Sequence, residues 1–152
     1  MNHRIIRLST IATTAMTTAT SIHHVFRLGA GLVIPAVLLI GLPIALVALY
    51  RRRASRPALY VYLALTGLVV VWFGIIDGFS DHVLKAAGLD NVTMLPGGDA
   101  PIVATVYHLW SPAATTWFYE STGILTAVAS AAATVLAIML WRAHTNTSVE
   151  RR

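Results

Sequence analysis

Long apolar stretches separated by short polar segments run through most of this chain. Residues 28–50 contain no charged side chain, and a helix of this length can cross a hydrocarbon core of about 30 Å. Residues 58–76 and 122–141 are also free of charge. With their flanks, these stretches predict membrane-spanning helices over about 28–50, 57–79 and 115–142.

A fourth stretch, residues 5–26, is less apolar and rich in threonine. Arg4 and Arg7 at its start are typical of a signal peptide, which begins with a basic segment. Against that interpretation, the stretch lacks a compact leucine-rich core, and the next apolar stretch follows almost at once. A cleaved signal and a retained helix both stay open, and the retained helix is favoured.

The composition supports a membrane protein. Of the 152 residues, 57% are hydrophobic and only 11% are charged, whereas about a quarter of the residues in soluble domains carry charge. The net charge of +5 does not indicate nucleic-acid binding, because the basic residues cluster at the ends of apolar stretches. The chain has no cysteine, which excludes disulfides, thiolate metal sites and cysteine nucleophiles.

The distribution of arginines predicts the topology. With four spans, nine basic residues lie on one side of the membrane, and only Arg27 and Lys85 lie on the other. An excess of arginine marks the cytoplasmic side, so both termini are expected in the cytoplasm. Three spans would move Arg4 and Arg7 to the opposite side. The nine are Arg4, Arg7, Arg51, Arg52, Arg53, Arg56, Arg142, Arg151 and Arg152.

The sequence therefore predicts an all-α protein, a multi-pass bundle of four transmembrane helices in the plasma membrane. Residues 1–152 form a single membrane domain, and a long outer loop over about 80–114 contains short helices. The lipid bilayer is the expected partner, with a homo-oligomer or a larger membrane complex as further candidates.

Ionisable residues from distant parts of the chain are expected to meet at the outer ends of these helices. An ionisable side chain in a membrane helix is costly to bury and therefore indicates function. Imidazole and carboxylate ligands suit copper, iron or zinc. The candidate metal ligands and their neighbours are His23, His24, Asp77, Asp81, His82, His108 and Glu120.

Helical phase ranks the two adjacent histidines. At about 100° per residue, His24 shares a face with Thr13, Thr17 and Thr20, while His23 lies at the edge of a bulky face that includes Met16. Small and weakly polar faces pack against other membrane helices, so His24 is expected to point inward and His23 toward the interface.

The predicted ligand set follows from this ranking. It combines His24, Asp77 and Glu120 with either His82 or His108. Asp81 is expected to orient a histidine, or to share a proton with Asp77 four residues earlier.

Small residues predict close helix packing near the same site. Gly67, Gly74 and Gly78 are expected to share one face of the third helix. The last helix has a comparable stripe, formed by Gly123, Ala127, Ser130 and Thr134. Stripes of this kind let helix backbones approach closely in membranes.

Three segments, "SIHHVFRLGAG", "FGIIDGFSDHVLK" and "FYESTGILT", resemble an uncharacterised family of small bacterial integral membrane proteins with four helices. The resemblance covers nearly the whole chain. It implies a four-helix membrane fold, and it brings no activity, cofactor or site residues.

Three functions are compatible with the sequence. The first is a membrane protein that binds a transition metal or haem at the outer face, with redox chemistry as one use of the site. The second is a non-catalytic accessory subunit of a larger complex, in which the polar cluster only holds helices together. The third is proton-coupled transport, which the small size and the lack of an inverted repeat disfavour. Whether the protein is an enzyme, and on which substrate, is not indicated.

Overall fold

The protein is described by a computed structural model that covers residues 3–92 and 110–149, without the side chains of 146–149. The described residues form helices and contain no strand, which confirms the all-α prediction. The elements are α1 (His3–Leu28), a single 3-10 turn (Ala30–Leu32), α2 (Val33–Arg53), α3 (Arg56–Val69) and α4 (Pro112–Val149). Helix α3 continues without a break as a π-helix (Val70–Val83), here called the π segment, and ends in a last α-helical turn (Leu84–Ala86).

Three helical stretches in the described part of the chain are long and apolar enough to cross a membrane. They are Ala30–Arg53, Arg56–Ala86 and Pro112–Thr145, with mean hydropathies of 2.8, 2.3 and 2.2. This finding supports a membrane protein. Helix α1 is also long enough, with 26 residues, but its threonines make it less apolar than these three stretches. The second stretch runs to Ala86, past the start of the outer loop predicted at residue 80, because the π segment extends the helix.

Short turns join the first three helices. Gly29 has φ 95°, in the left-handed region that glycine adopts at little cost, and it redirects the chain between α1 and α2. Ala54 ends α2 with φ 50°. The Ser55 hydroxyl then accepts a hydrogen bond from the backbone N–H of Ala58 at 3.4 Å, and Pro57 lies in the first turn of α3. Such an N-cap and an early proline are typical of a helix start.

Consecutive helices run in opposite directions, which creates two distinct ends. At the histidine end, the last turns of α1 and the π segment meet the first turns of α4, as the His82–Glu120 hydrogen bond shows. At the arginine end, α2 gives way to α3 beside the last part of α4, where the ring centroids of Tyr60 and Trp141 lie 5.8 Å apart. The ionisable cluster and most arginines therefore occupy opposite ends.

The buried face of α1 follows a repeat of three and four residues, typical of helices that pack lengthwise. The residues at these positions are Ile6, Ser9, Thr13, Met16, Thr20, His23 and Arg27. Met16 was expected to face outward and is instead fully buried. The expectation was wrong because a repeat of 3.5 residues drifts by about 20° per heptad from the phase of an ideal straight helix.

The π segment changes the spacing of buried positions along the third helix. In α3 the buried residues Leu59, Tyr62, Thr66 and Val69 are three or four apart, whereas in the π segment Val70, Gly74, Gly78 and His82 are each four apart. A π-helix bonds residue i to i+5 and is wider than an α-helix. Gly67 precedes this change and is exposed, so the predicted glycine face holds only for Gly74 and Gly78.

Candidate metal centre

Aromatic rings from three elements crowd together at the histidine end. The ring of His23 on α1 stacks on Tyr119 of α4, with centroids 4.6 Å apart. The ring of His82, from the π segment, meets the His23 ring edge-on at 4.8 Å. The side chains of His23 and His82 have no solvent exposure. Burying titratable rings in this way requires partners for their polar atoms.

Thr122 determines the tautomer of His23. The Thr122 hydroxyl lies 2.9 Å from the Phe118 carbonyl oxygen and 3.0 Å from that of Tyr119, so its hydrogen is used there. The same hydroxyl oxygen lies 2.9 Å from Nδ1 of His23 and must accept a hydrogen from it. With its proton on Nδ1, the neutral ring presents a lone pair at Nε2.

Glu120 does the same for His82. One Glu120 carboxylate oxygen, Oε2, lies 2.8 Å from Nδ1 of His82, and the other pairs with the Lys85 ammonium. The lysine keeps the carboxylate ionised, so His82 donates its Nδ1–H. A carboxylate behind a histidine is the usual support of a metal ligand, because it orients the ring and increases its basicity.

A backbone carbonyl group fixes the same tautomer in His24. Its Nδ1 lies 2.9 Å from the carbonyl oxygen of Thr20, and a carbonyl can only accept a hydrogen bond. Its Nε2 lies 3.9 Å from Oδ2 of Asp77. Its ring also packs edge-on against Phe73, with centroids 4.8 Å apart.

Asp77 is anchored at one oxygen only. Its Oδ1 accepts a hydrogen bond from Nη1 of Arg27 at 2.9 Å. Its Oδ2 faces Nε2 of His23 at 3.8 Å and is buried without a hydrogen-bond partner. A separation of 3.8 Å is too long for a direct hydrogen bond.

Three residues that each have a buried polar atom without a partner therefore lie together. Nε2 of His23, Nε2 of His82 and Oδ2 of Asp77 are each buried and lack a hydrogen-bond partner. One ligand atom from each of these residues lies within 4.8 Å of the others. All three atoms present electron pairs, so none can satisfy another. A cation placed between them would satisfy all three.

The distances suit a metal ion. Metal–nitrogen and metal–oxygen bonds to zinc are about 2.0–2.2 Å long, so small side-chain rotations would bring the three atoms around one ion. Two imidazoles and a carboxylate are ligands for zinc, copper, iron or manganese.

Close backbone packing holds His82 in place. A Cβ atom on Gly123 would lie 2.1 Å from the His82 ring carbon Cδ2. A Cβ atom on Gly78 would lie 3.0 Å from backbone atoms of α4, among them the Gly123 carbonyl oxygen. Both glycines lie in the small-residue faces predicted from sequence. Gly123 makes room for the imidazole, and Gly78 lets the backbone of α4 approach.

Four of the seven predicted site residues meet at this centre: His23, His24, Asp77 and His82. The predicted burial order of the two adjacent histidines is wrong, since His23 is 1% exposed and the His24 side chain is 19% exposed. His23 continues the heptad repeat of α1, and His24 is one residue out of phase.

The other predicted residues have different places. Glu120 supports His82 from behind rather than reaching the centre with its bonded oxygen. Asp81 is buried and accepts a hydrogen bond from Asn91 at 2.8 Å, while Thr122, Glu120 and the Thr20 carbonyl orient the three histidines. His108 lies outside the described residues.

Sequence reasoning missed three contributors: Arg27, Tyr119 and Thr122. Arg27 lies four residues after His23 and is 4% exposed, with its guanidinium carbon 5.4 Å from the Tyr119 ring centroid. The i, i+4 spacing from His23 was the available signal. Nothing in the sequence marked Thr122, since it lies among many small residues.

Comparisons with family models, curated proteins and solved structures yielded no match.

Proposed function

We propose that this protein is a membrane protein with four transmembrane helices that binds a transition metal ion through His23, Asp77 and His82. The observation that carries the proposal is the convergence of three buried, unpartnered electron-pair donors. Leaving one such atom unsatisfied costs about 1–3 kcal/mol, so three at one point would be a large penalty. One bound cation removes it.

The surroundings of the centre also support a metal. Each imidazole has its Nδ1–H committed to a separate acceptor, which fixes the ring and directs Nε2 toward the centre. Arg27 holds the other oxygen of Asp77. Outer partners of this kind typically change metal affinity by about 10–100-fold.

Counting α1 as a fourth span follows from its length and its position. Its 26 residues rise about 39 Å at 1.5 Å per residue, enough to cross the hydrocarbon core. Its lower hydropathy matters less because its polar face is buried against the other helices. Together with the arginine distribution, this supports the proposal of four spans with both termini in the cytoplasm and the metal near the outer surface.

The absence of cysteine makes the topology directly testable. Single cysteines at Arg52→Cys and Asp90→Cys would be labelled in oriented vesicles with a membrane-impermeant maleimide. We expect labelling of Asp90→Cys from outside the cell and of Arg52→Cys only after permeabilisation. Labelling of both from one side would contradict the four-span topology.

Metal binding is tested by elemental analysis of the full-length protein purified in detergent. We expect close to one zinc, copper, iron or manganese ion per chain. The ion should be lost in His23→Gln and retained in the matched control His144→Gln, which changes a histidine at the arginine end. Because His23→Gln could disturb folding, thermal unfolding of the wild-type protein provides a second measurement. Chelation should lower the midpoint, and added Zn²⁺ should restore it.

A structural polar network predicts the opposite result. In that case the purified protein would contain no stoichiometric metal, and its unfolding midpoint would not respond to chelator or to Zn²⁺. This outcome would reject the metal site. It would favour the alternative of a non-catalytic subunit held together by the Arg27–Asp77 and Lys85–Glu120 pairs.

A further inference from the structure

One flank of the candidate metal centre, formed by Asp77 and His24, is partly exposed. His23 and His82 have fully buried side chains, whereas those of Asp77 and His24 are 14% and 19% exposed. Among the three proposed ligands, only Asp77 is therefore partly exposed, while Glu120 behind His82 is 22% exposed on another side of the cluster. Zinc enzymes have three protein ligands and one open position, whereas structural zinc sites are closed by four.

A cavity of about 200 Å³ adjoins this flank. Its wall contains Asp77, His24 and Arg27, and the remaining lining is apolar: Leu28, Trp72, Phe73 and Ile76. Leu28 and Trp72 are each 52% exposed. The cavity thus joins the Asp77 side of the centre to the surface at the histidine end.

The charges around the centre select the kind of ligand. Asp77 is paired with Arg27, and Glu120 is paired with Lys85. An imidazole that donates its Nδ1–H and binds a metal ion through Nε2 carries no charge of its own. Asp77 and Glu120 are therefore already compensated, and the single charge of the buried Asp81 would balance at most half of the charge of a divalent metal ion. In a medium of low dielectric constant, an unbalanced charge is strongly unfavourable.

We propose that the bound metal keeps one exchangeable position facing this cavity and that a small anion occupies it. An anion would balance the excess charge of the ion, and the Arg27 guanidinium in the cavity wall adds to the attraction. The apolar remainder of the wall limits the ligand to a few atoms and excludes bulky charged molecules. This inference rests on the proposed metal site and adds an access route and a class of ligand.

Cobalt(II) provides the test, because its visible absorption reports both metal binding and a change of ligand. The full-length protein would be stripped of metal, loaded with Co²⁺ and titrated with azide, which replaces water at an open position. We expect a cobalt spectrum before azide and a saturable shift of its bands with azide. If no cobalt spectrum forms, the metal site itself is rejected. A spectrum that azide leaves unchanged rejects only the exchangeable position.

Two substitutions locate the route. Ile76→Trp fills the cavity, and we expect it to weaken azide binding at least tenfold. Ile75→Trp adds the same bulk at the next residue, which is 51% exposed, and should change the affinity less than twofold. Equal azide affinity in both variants would overturn the proposed route.

A third variant decides the case in which Ile76→Trp also disturbs cobalt binding. Trp72→Ala removes an exposed ring from the cavity wall without touching a proposed ligand. Azide should then bind several-fold faster, as measured by stopped-flow absorption. An unchanged association rate would contradict access through this cavity.

Discussion

Helices α1 and α2 are neighbours of similar length with opposite relations between hydropathy and burial. The span that contains α2 has the highest mean hydropathy, 2.8, and only 11% of its most apolar window is buried. Helix α1 is less apolar, yet it buries ten residues, five of them serine or threonine. In water, burial follows hydropathy; in a bilayer, lipid solvates apolar side chains and leaves polar faces to pack against protein.

The difference between α1 and α2 explains which of the two helices can contribute polar side chains to a buried site. Helix α2 buries only Pro43, Val47 and Tyr50, so it presents few polar groups to the interior. Helix α1 supplies His23, His24 and Arg27 to the candidate centre. Of these two helices, the less apolar one therefore contributes the side chains to the candidate centre. The pairs of substitutions below compare changes at buried positions with changes at exposed ones.

The largest effect is expected from Arg27→Met on α1. In the metal-free protein, this change leaves the Asp77 carboxylate without its ion-pair partner in a largely buried site, and breaking a buried ion pair costs about 3–5 kcal/mol. The matched change Arg52→Met on α2 alters an exposed arginine and should change the free energy of unfolding in detergent by less than about 0.5 kcal/mol. Adding Asp77→Asn to Arg27→Met should recover much of the loss. Equal losses of unfolding free energy in Arg27→Met and Arg52→Met would contradict the view that the buried polar face of α1 contributes more to stability than the exposed surface of α2.

Gly123→Ala is expected to cause the second-largest loss of unfolding free energy. The new methyl group would collide with the His82 ring, and overpacking of this kind costs about 1–3 kcal/mol. Zinc affinity, measured by competition with a chelator, should fall by about tenfold or more because the ring is displaced. On α2, a Cβ at Gly41 meets nothing within 4 Å, so Gly41→Ala should leave zinc affinity unchanged and raise stability by about 0.5–1 kcal/mol. Zinc affinity that survives Gly123→Ala would contradict the assigned position of His82.

A substitution that makes α1 more apolar, or one that makes α2 more polar, should change the free energy of unfolding by a smaller amount. Thr17→Leu makes α1 more apolar at a position with 0% exposure, so it should destabilise the protein toward the lower end of the 1–3 kcal/mol that is typical of overpacking. Leu38→Thr makes α2 less apolar at a residue that is 64% exposed, and should change stability by less than about 0.5 kcal/mol. Unfolding in detergent measures both. The opposite order would show that hydropathy, not packing, governs stability here.

The smallest effect concerns the hydroxyl of Tyr62. It lies 2.8 Å from the Ser9 hydroxyl and 2.9 Å from that of Thr13, joining α1 to α3. Hydrogen bonds between membrane helices contribute about 0.6 kcal/mol on average, and Tyr62→Phe should lower the unfolding free energy by about that amount. Tyr60→Phe, at a residue that is 44% exposed, serves as the control and should leave the free energy of unfolding unchanged.

Much of the candidate site could be predicted from the sequence, but its internal arrangement could not. The ionisable residues at the helix ends indicated that His23, His24, Asp77 and His82 would meet. The choice between the two adjacent histidines failed because the buried face of α1 follows a 3.5-residue repeat rather than a 100° rotation per residue. The roles of Arg27 and Thr122 were missed because their partners are 50 and 99 residues away.

Composition and patterning by themselves determined that the chain is helical and apolar enough for a membrane, because hydropathy and helix length are properties of continuous segments. They also predicted that the ionisable residues lie near the ends of the apolar segments. The order of the segments along the chain then determines which of those ends lie at the same end of the helix bundle. Only the tertiary structure decided which side chains turn toward one another. That depends on the 3.5-residue repeat of the buried face of α1, on the wider turn of the π segment and on the space left by Gly78 and Gly123. Each of these involves packing between helices that are far apart in the chain.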